Sequence, residues 1–376
     1  MIDNRDISLI RHENKFLLNL QIFRGLAAVM VLVCHANLIV DKDLFNGLLV
    51  VGRCGVDFFF VLSGFIIYYA NYSIIGNPAQ FNKYIRRRFN RIYPIYWVYT
   101  LMTIAVHFVL LHFTGKGLIY WISINLDNIL RTFSLYPVNT AILEAPIIPV
   151  AWTLTYEILF YFMFSLLILL KPKLAIPILS IWAAAVTLNL FLPLNSDILL
   201  IDVILGIKNM EFFMGCLAAH LFIRQYFKLP RYLLRLSITL GVILFVISCW
   251  YNVATGYILD YMHKTHIITF GVPFFIIILF TTMLEEQFPS PTGKIKGLLL
   301  YLGNASYSIY LTHFVILALM NITLLKLYGL DSLAIFIISS LSSLIIGCLS
   351  YSFIEKPLLA WLNKNTIKVK PISISN

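Results

Sequence analysis

Charged residues are scarce in this chain: Asp, Glu, Lys and Arg make up 12% of its 376 residues, against 60% hydrophobic ones. A water-soluble fold of this length cannot hide that much apolar side chain, and the mean hydropathy of +0.87 points the same way. Cysteine is sparse too. Cys34, Cys54, Cys216, Cys249 and Cys348 stand singly in apolar stretches, with neither CxxC nor Cys/His ligand spacing, so they imply no metal site and no disulfide framework. Tandem repeats and low-complexity tracts are absent. The apolar run after the polar first sixteen residues carries Arg24 and has no small-residue cleavage site, so it reads as a retained first helix rather than a removed leader.

Apolar runs of roughly twenty residues are plentiful, each long enough to cross about 30 Å of hydrocarbon at about 1.5 Å per residue. Hydropathy predicts an all-α polytopic membrane protein of ten transmembrane spans at 19–40, 47–70, 91–112, 147–170, 174–194, 203–222, 233–250, 266–284, 298–320 and 332–355. The expected organisation is one membrane domain over 1–376, with no appended extracytoplasmic hydrolase-like domain. The net charge of +11 does not read as a nucleic-acid surface, because the basic residues sit in short loops between apolar runs. With both termini cytoplasmic, Lys83, Arg86, Arg87, Arg88, Arg91, Lys171, Lys173, Arg224, Lys228, Arg231, Arg235, Lys294, Lys296 and Lys356 fall inside, as do Arg5, Arg11, Lys15, Lys364, Lys368 and Lys370. The outer side receives Lys42, Lys116, Arg131, Lys208, Lys264 and Lys326 with the acids Asp41, Asp43, Asp127, Glu144, Asp197 and Asp260. The outer connection 113–146, with Trp121, Asp127 and Arg131, is expected to form an interfacial or partly re-entrant cover.

An ionisable group at mid-bilayer costs at least about 2.5 kcal/mol, so charges inside spans must pair or line a wet cavity. They are Arg24 and His35, Arg53 and Asp57, Glu157, Glu211 and His313. Arg24 and His35 are eleven residues apart, which returns them to nearly one helical face about 16 Å apart along the axis. His35, Asp57, Glu157 and His313 fall at similar depth and can share one layer. For Arg53 and Asp57 the simpler reading is a local i, i+4 ion pair, and His35 alone is equally well read as an imidazole bonded across helices. His107, His112, His220, His263 and His266 lie near span ends and read as solvated or interfacial. The run Lys83 to Arg91 is by itself a positive-inside anchor, although Arg88 and Arg91 share a helical face and can grip phosphate oxygens in a fork.

Several stretches together resemble acyltransferase family 3. They are Phe23-Arg24-Gly25 with His35, Gly55-Val56-Asp57-Phe58-Phe59-Phe60 through Ser63-Gly64-Phe65, and Arg88-Phe89-Asn90-Arg91 before Tyr93-Pro94. Trp152-Thr153-Leu154-Thr155-Tyr156-Glu157, Leu302-Gly303-Asn304 through Tyr310-Leu311-Thr312-His313, and Glu355-Lys356-Pro357 complete the set. The order and spacing span the whole chain, and within the family the likeness is to exopolysaccharide and O-antigen O-acetyltransferases of the bacterial inner membrane. The resemblance implies a ten-helix fold, acetyl-CoA as donor, no metal, and a surface polysaccharide or its lipid-linked precursor as acceptor. It implies acyl-CoA contacts at Arg24, Arg88 and Arg91 and catalytic roles at His35, Glu157 and Asp57, with His313, Tyr310 and Trp152 in support. Acyl transfer to an alcohol needs a base, an oxyanion stabiliser and a donor clamp. His35 suits the first, with Glu157 or Asp57 to orient it, and whether it also carries the acyl group is open at this level. A transporter or flippase for a lipid-linked glycan also needs many helices and buried charges, but inverted repeats and interrupted helices are not evident. The oligomeric state is not legible.

Overall fold

The computed structural model describes residues 17–40, 44–115, 117–118, 125–137, 146–194, 198–226, 228–289 and 293–364. Arg5, Arg11, Lys15, Asp41, Lys42, Asp43, Lys116, Trp121, Glu144, Asp197, Lys368 and Lys370 lie outside the described residues. Within them the fold is entirely helical. Helix α1 spans Leu18–Ile39, and a 3₁₀ segment Leu48–Cys54 leads into α2, Gly55–Asn71. Then follow α3 (Phe81–Thr114), the short α4 (Leu126–Ser134), α5 (Trp152–Leu169) and α6 (Pro172–Phe191). The second half comprises α7 (Leu199–Ile204), α8 (Lys208–Arg224), α9 (Arg231–Thr255) and α10 (Val272–Gln287). It ends with α11 (Lys294–Tyr328), α12 (Ser332–Ser350) and α13 (Lys356–Lys364).

Nine stretches of the described chain are long and apolar enough to cross a membrane. The tenth expected span, 203–222, is the exception. It breaks at 205–207, where the Asn209 amide donates to the carbonyls of Val203, Ile204 and Gly206 at 2.8, 3.1 and 2.9 Å and closes the end of α7. Only 17 residues remain for α8, about 25 Å, and its first turn holds Lys208, Asn209 and Glu211, all fully buried. A helix of that composition is sheltered by protein rather than lipid. It runs parallel to α2, and α5, α6 and α10 also pack on it.

Two close approaches set the inner packing. A Cβ on Gly303 would lie 1.9 Å from the Gln21 carbonyl, and one on Gly25 2.7 Å from the Gly303 nitrogen, so α1 and α11 meet backbone to backbone. Gly64 and Gly215 do the same for α2 and α8, with Cβ positions 2.1 Å from the Phe212 carbonyl and 1.9 Å from that of Val61. Around this centre Phe160 stacks on Phe212 at 4.2 Å, and Phe58 meets Phe274 edge to face at 5.1 Å. On the periphery Ile181 on α6, Trp250 on α9 and Ile345 on α12 are exposed, as lipid-facing residues would be.

The start of α1 marks one end of the bundle. Glu285, at the end of α10, accepts the Leu18 and Asn19 N–H groups there at 2.7 and 3.0 Å, which satisfies two orphan donors of the helix. The α2–α3, α5–α6, α8–α9 and α10–α11 connections share this end, joined by Gly76 N–H to the Leu167 carbonyl and by Gln225 to Glu286. Most of the described arginines and lysines are here, so it is the basic end. At the opposite end, the expected cover contributes the amphipathic α4, in which Arg131 pairs with Asp127 at 2.6 Å and lies against the Tyr136 ring.

Candidate active site

Three arginines converge on a cavity reached from the basic end. Arg24 reaches it from the second turn of α1, and Arg88 and Arg91 from one face of α3, with Ser63, Glu157, Tyr161 and Tyr307 also on its wall. Its empty volume is about 820 Å³ including the open mouth. Two of the guanidiniums have fixed partners. Arg88 lies 5.0 Å from the Tyr161 ring centre, the Tyr161 hydroxyl donates to Glu157, and Arg24 donates to Gln21, which in turn donates to Asn304 at 2.8 Å. Three cations with one carboxylate, in a cleft open to solvent at the headgroup edge, suit a polyanion such as the phosphates of coenzyme A.

Deeper along α1, His35 meets His313 of α11, with His35 Nδ1 3.0 Å from His313 Nε2. The α1–α11 contact at Gly25 and Gly303 brings the two rings together at 5.1 Å between centres. Their hydrogens follow from the outermost partner. His313 Nδ1 lies 3.2 Å from the Ile309 carbonyl, which can only accept, so that nitrogen carries the hydrogen. His313 Nε2 is then the acceptor, His35 donates to it from Nδ1, and His35 Nε2 keeps its lone pair. That lone pair faces the Tyr261 hydroxyl at 3.3 Å. Tyr261 stands in the loop after α9, where burial pushes its phenol up to about 12 against the opposing effect of Arg53, so it stays an O–H donor. The result is an aligned chain from a backbone carbonyl through two imidazoles to a phenol.

Tyr261 also lines a second cavity, which opens at the opposite end. Its walls include Trp152 and Tyr156 of α5, Asn189 of α6, Asp202 of α7 and Asp260, and its empty volume is about 1570 Å³ including the mouth. Trp152 meets Tyr261 edge to face at 5.6 Å. Tyr310 lines the first cavity, holds Thr153 at 3.0 Å, and its ring lies 5.8 Å from that of His313. Neither His35 nor His313 is on the wall of either cavity; Tyr261 joins His35 to the second and Tyr310 joins His313 to the first.

The expectation that Asp57 or Glu157 orients His35 is corrected here: His313 takes that place. Glu157 faces the arginine cavity, bonded to Tyr161. Asp57 is buried against Lys208, whose ammonium also reaches Glu211 at 3.3 Å, and His266 Nδ1 lies 3.8 Å away. Nor do Arg53 and Asp57 form the local pair. Arg53 belongs to the 3₁₀ segment and Asp57 to the first turn of α2, so an i, i+4 spacing gives them no common helix face. Arg53 instead donates to the Leu259 carbonyl at 2.6 Å and lies over the Tyr261 ring at 4.4 Å. Lys208, expected on the outer side, and His266, expected near a span end, are both buried. The three-residue spacing of Lys208 and Glu211 is the signal that marks the former as half of a buried pair. Tyr261 carries no such signal, since a tyrosine near a span end is common.

The sequence profile of the acyltransferase domain matches residues 17–352. The chain belongs to acyltransferase family 3. It is similar to the exopolysaccharide production protein ExoZ of Rhizobium meliloti (strain 1021), 29% identical over 132 residues, covering 35% of this chain and 38% of that protein. It is also similar to the acyltransferase MdmB of Streptomyces mycarofaciens, 29% identical over 169 residues, covering 43% of this chain and 41% of that protein. The matched segments thus cover well under half of either relative's length. No solved structure matches the chain significantly. The family and the nine apolar spans among the described residues make this a multi-pass membrane protein.

Proposed function

We propose that the chain is an inner-membrane O-acetyltransferase that moves acetyl from acetyl-CoA to a sugar hydroxyl of an exopolysaccharide or its lipid-linked precursor. The observation that carries this reading is the lone pair of His35 Nε2, held by His313 and linked through Tyr310 to the triple-arginine cavity and through Tyr261 to the second cavity. Arg24, Arg88 and Arg91 bind the CoA phosphates. The acceptor hydroxyl takes the place of the Tyr261 hydroxyl at His35 Nε2 and gives up its proton there as its oxygen attacks the thioester carbonyl. The Tyr261 O–H, released from the imidazole, donates to the oxyanion. Collapse of the intermediate breaks the carbon–sulfur bond, and the imidazolium returns its proton to the departing thiolate. Hydrogen-bonded to the neutral His313 rather than to a carboxylate, His35 acts as a base without a fixed countercharge. The glycan acceptor rests on the name of the exopolysaccharide relative, and acetyl on the family likeness.

Acetyl-CoA consumption by the purified protein in detergent tests the reading. Thiol release that depends on His35 and rises with added polysaccharide is expected, with a raised KM for acetyl-CoA in Arg88→Ala and Arg91→Ala. A flippase would release no thiol, and that outcome overturns the proposal.

A further inference from the structure

The second cavity differs from the first in charge as well as in the end from which it opens. The charged side chains on its wall are Asp202 and Asp260, and no lysine or arginine lines it among the described residues. Both aspartates are exposed at the mouth, and Asp260 spends one carboxylate oxygen on the Met262 N–H at 2.8 Å. Among the described residues neither makes an ion pair. Between them the wall is aromatic. Trp152 and Tyr261 stand edge to face, and Tyr156 packs behind Trp152 at 6.0 Å. The Asn189 amide is already engaged at both its nitrogen and its oxygen, with the Leu205 carbonyl and the Leu194 N–H. Carboxylates that accept from hydroxyls, beside an indole face, suit a polyhydroxylated ring with an apolar face of its own. They are unsuited to an anion, which would meet two like charges at the mouth, while the nearest cations stand behind the wall and are already engaged, Arg53 with the Leu259 carbonyl and the Tyr261 ring and Arg131 with Asp127 and the Pro137 carbonyl.

Resting on the acyltransferase reading above, we infer that this cavity is the acceptor subsite and that it selects uncharged sugar rings over uronate-bearing ones. The ring stacks on Trp152, its other hydroxyls donate to Asp202 and Asp260, and the reacting hydroxyl points past Tyr261 to His35 Nε2. The two cavities thereby sort the substrates by charge. The anionic donor is drawn to the arginines at one end, and the carboxylates at the other end disfavour anionic acceptors and CoA alike.

The test uses the full-length protein in detergent with acetyl-CoA and two matched probes, a neutral gluco-oligosaccharide and the oligoglucuronate of equal length. Acetyl ester on each probe and thiol release are followed together. A neutral-to-uronate ratio of kcat/KM of about tenfold or more is expected, shrinking severalfold in Asp202→Asn/Asp260→Asn and as salt is raised. Because the ratio is taken within each protein preparation, a partial loss of folded protein in the variant cancels. Trp152→Ala should raise the KM for the neutral probe more than that for acetyl-CoA. Thiol release with equal acetylation of both probes, with acetylation of neither, or with a ratio unchanged in the double variant overturns the acceptor assignment while the transferase reading stands. Absence of thiol release under every condition overturns both.

Discussion

His35 is useful as a base only because its hydrogen is kept on Nδ1, and that depends on the Ile309 carbonyl acting through His313. The two histidines should therefore fail differently. His35→Ala removes the base and should reduce kcat by about 10²-fold or more with the protein still folded. His313→Ala should also lower kcat, with little change in KM for acetyl-CoA, since the first cavity keeps its arginines. His313→Gln, whose amide oxygen can accept from His35 Nδ1, should recover part of the loss. A His313→Ala enzyme with normal kcat, or one whose KM alone changes, would reduce His313 to a packing residue. Lys208 belongs to a different category. Fully buried between Asp57 and Glu211, it neutralises carboxylates that have no route to water, and Lys208→Met leaves them without their cation. Loss of one partner from such a group costs about 3–5 kcal/mol. A large fall in the temperature at which the detergent-solubilised protein loses its monodisperse elution is expected, and restoration by Lys208→Met with Asp57→Leu and Glu211→Leu would show that the cost is electrostatic.

At the scale of helices, α1 and α11 form one functional unit. They run side by side from the basic end, touching at Gly25 and Gly303, and carry His35 and His313 at matching height. Gly25→Val would place methyl groups where the Gly303 backbone now sits, forcing the helices apart. The 3.0 Å imidazole contact does not survive a shift of even one ångström. Activity should fall severalfold or more while α2 and α8, whose own contact is at Gly64 and Gly215, keep the protein folded. Cysteines at 28 and 305, both buried on α1 and α11, would report the change through altered crosslinking. A Gly25→Val protein with full activity would mean that the helix contact does not position the pair. The break before α8 illustrates how a polar side chain shapes an element. Asn209 satisfies three carbonyls at the end of α7 and leaves Lys208 free to turn inward to Asp57.

For the whole molecule the consequence is sidedness. The basic end carries Arg86, Arg87, Lys171, Lys173, Arg231, Lys294 and Lys356, and the positive-inside rule assigns such an end to the cytosol. A cysteine at position 85 should be labelled only from the cytosolic face. In sealed vesicles of known orientation, acetyl-CoA should serve only from that face and acetyl ester should accumulate on acceptor enclosed at the other. Transfer confined to acceptor on the cytosolic face would overturn the two-ended route and would make the second cavity a vestibule with no part in acceptor binding.

The all-helical membrane class and nine of the ten expected spans were legible because lipid imposes a simple grammar, about twenty apolar residues per pass with basic residues gathered at one end, and the family was legible in its motifs. The exception is α8, where burial by protein replaces the need for apolar length. Arg24, Arg88 and Arg91 came together as a set through the family resemblance, and the structure brings them to one cavity. The partners of His35 were not. Asp57 and Glu157 lie at about the right depth, but depth along a helix says nothing of azimuth about the bundle, and that is decided by which helices touch. The glycine contacts set α1 against α11 and α2 against α8, which turns Asp57 toward Lys208 and His35 toward His313. Only the tertiary structure could bring in Tyr261, since its place beside His35 depends on a loop closed by Arg53 across more than two hundred residues of chain.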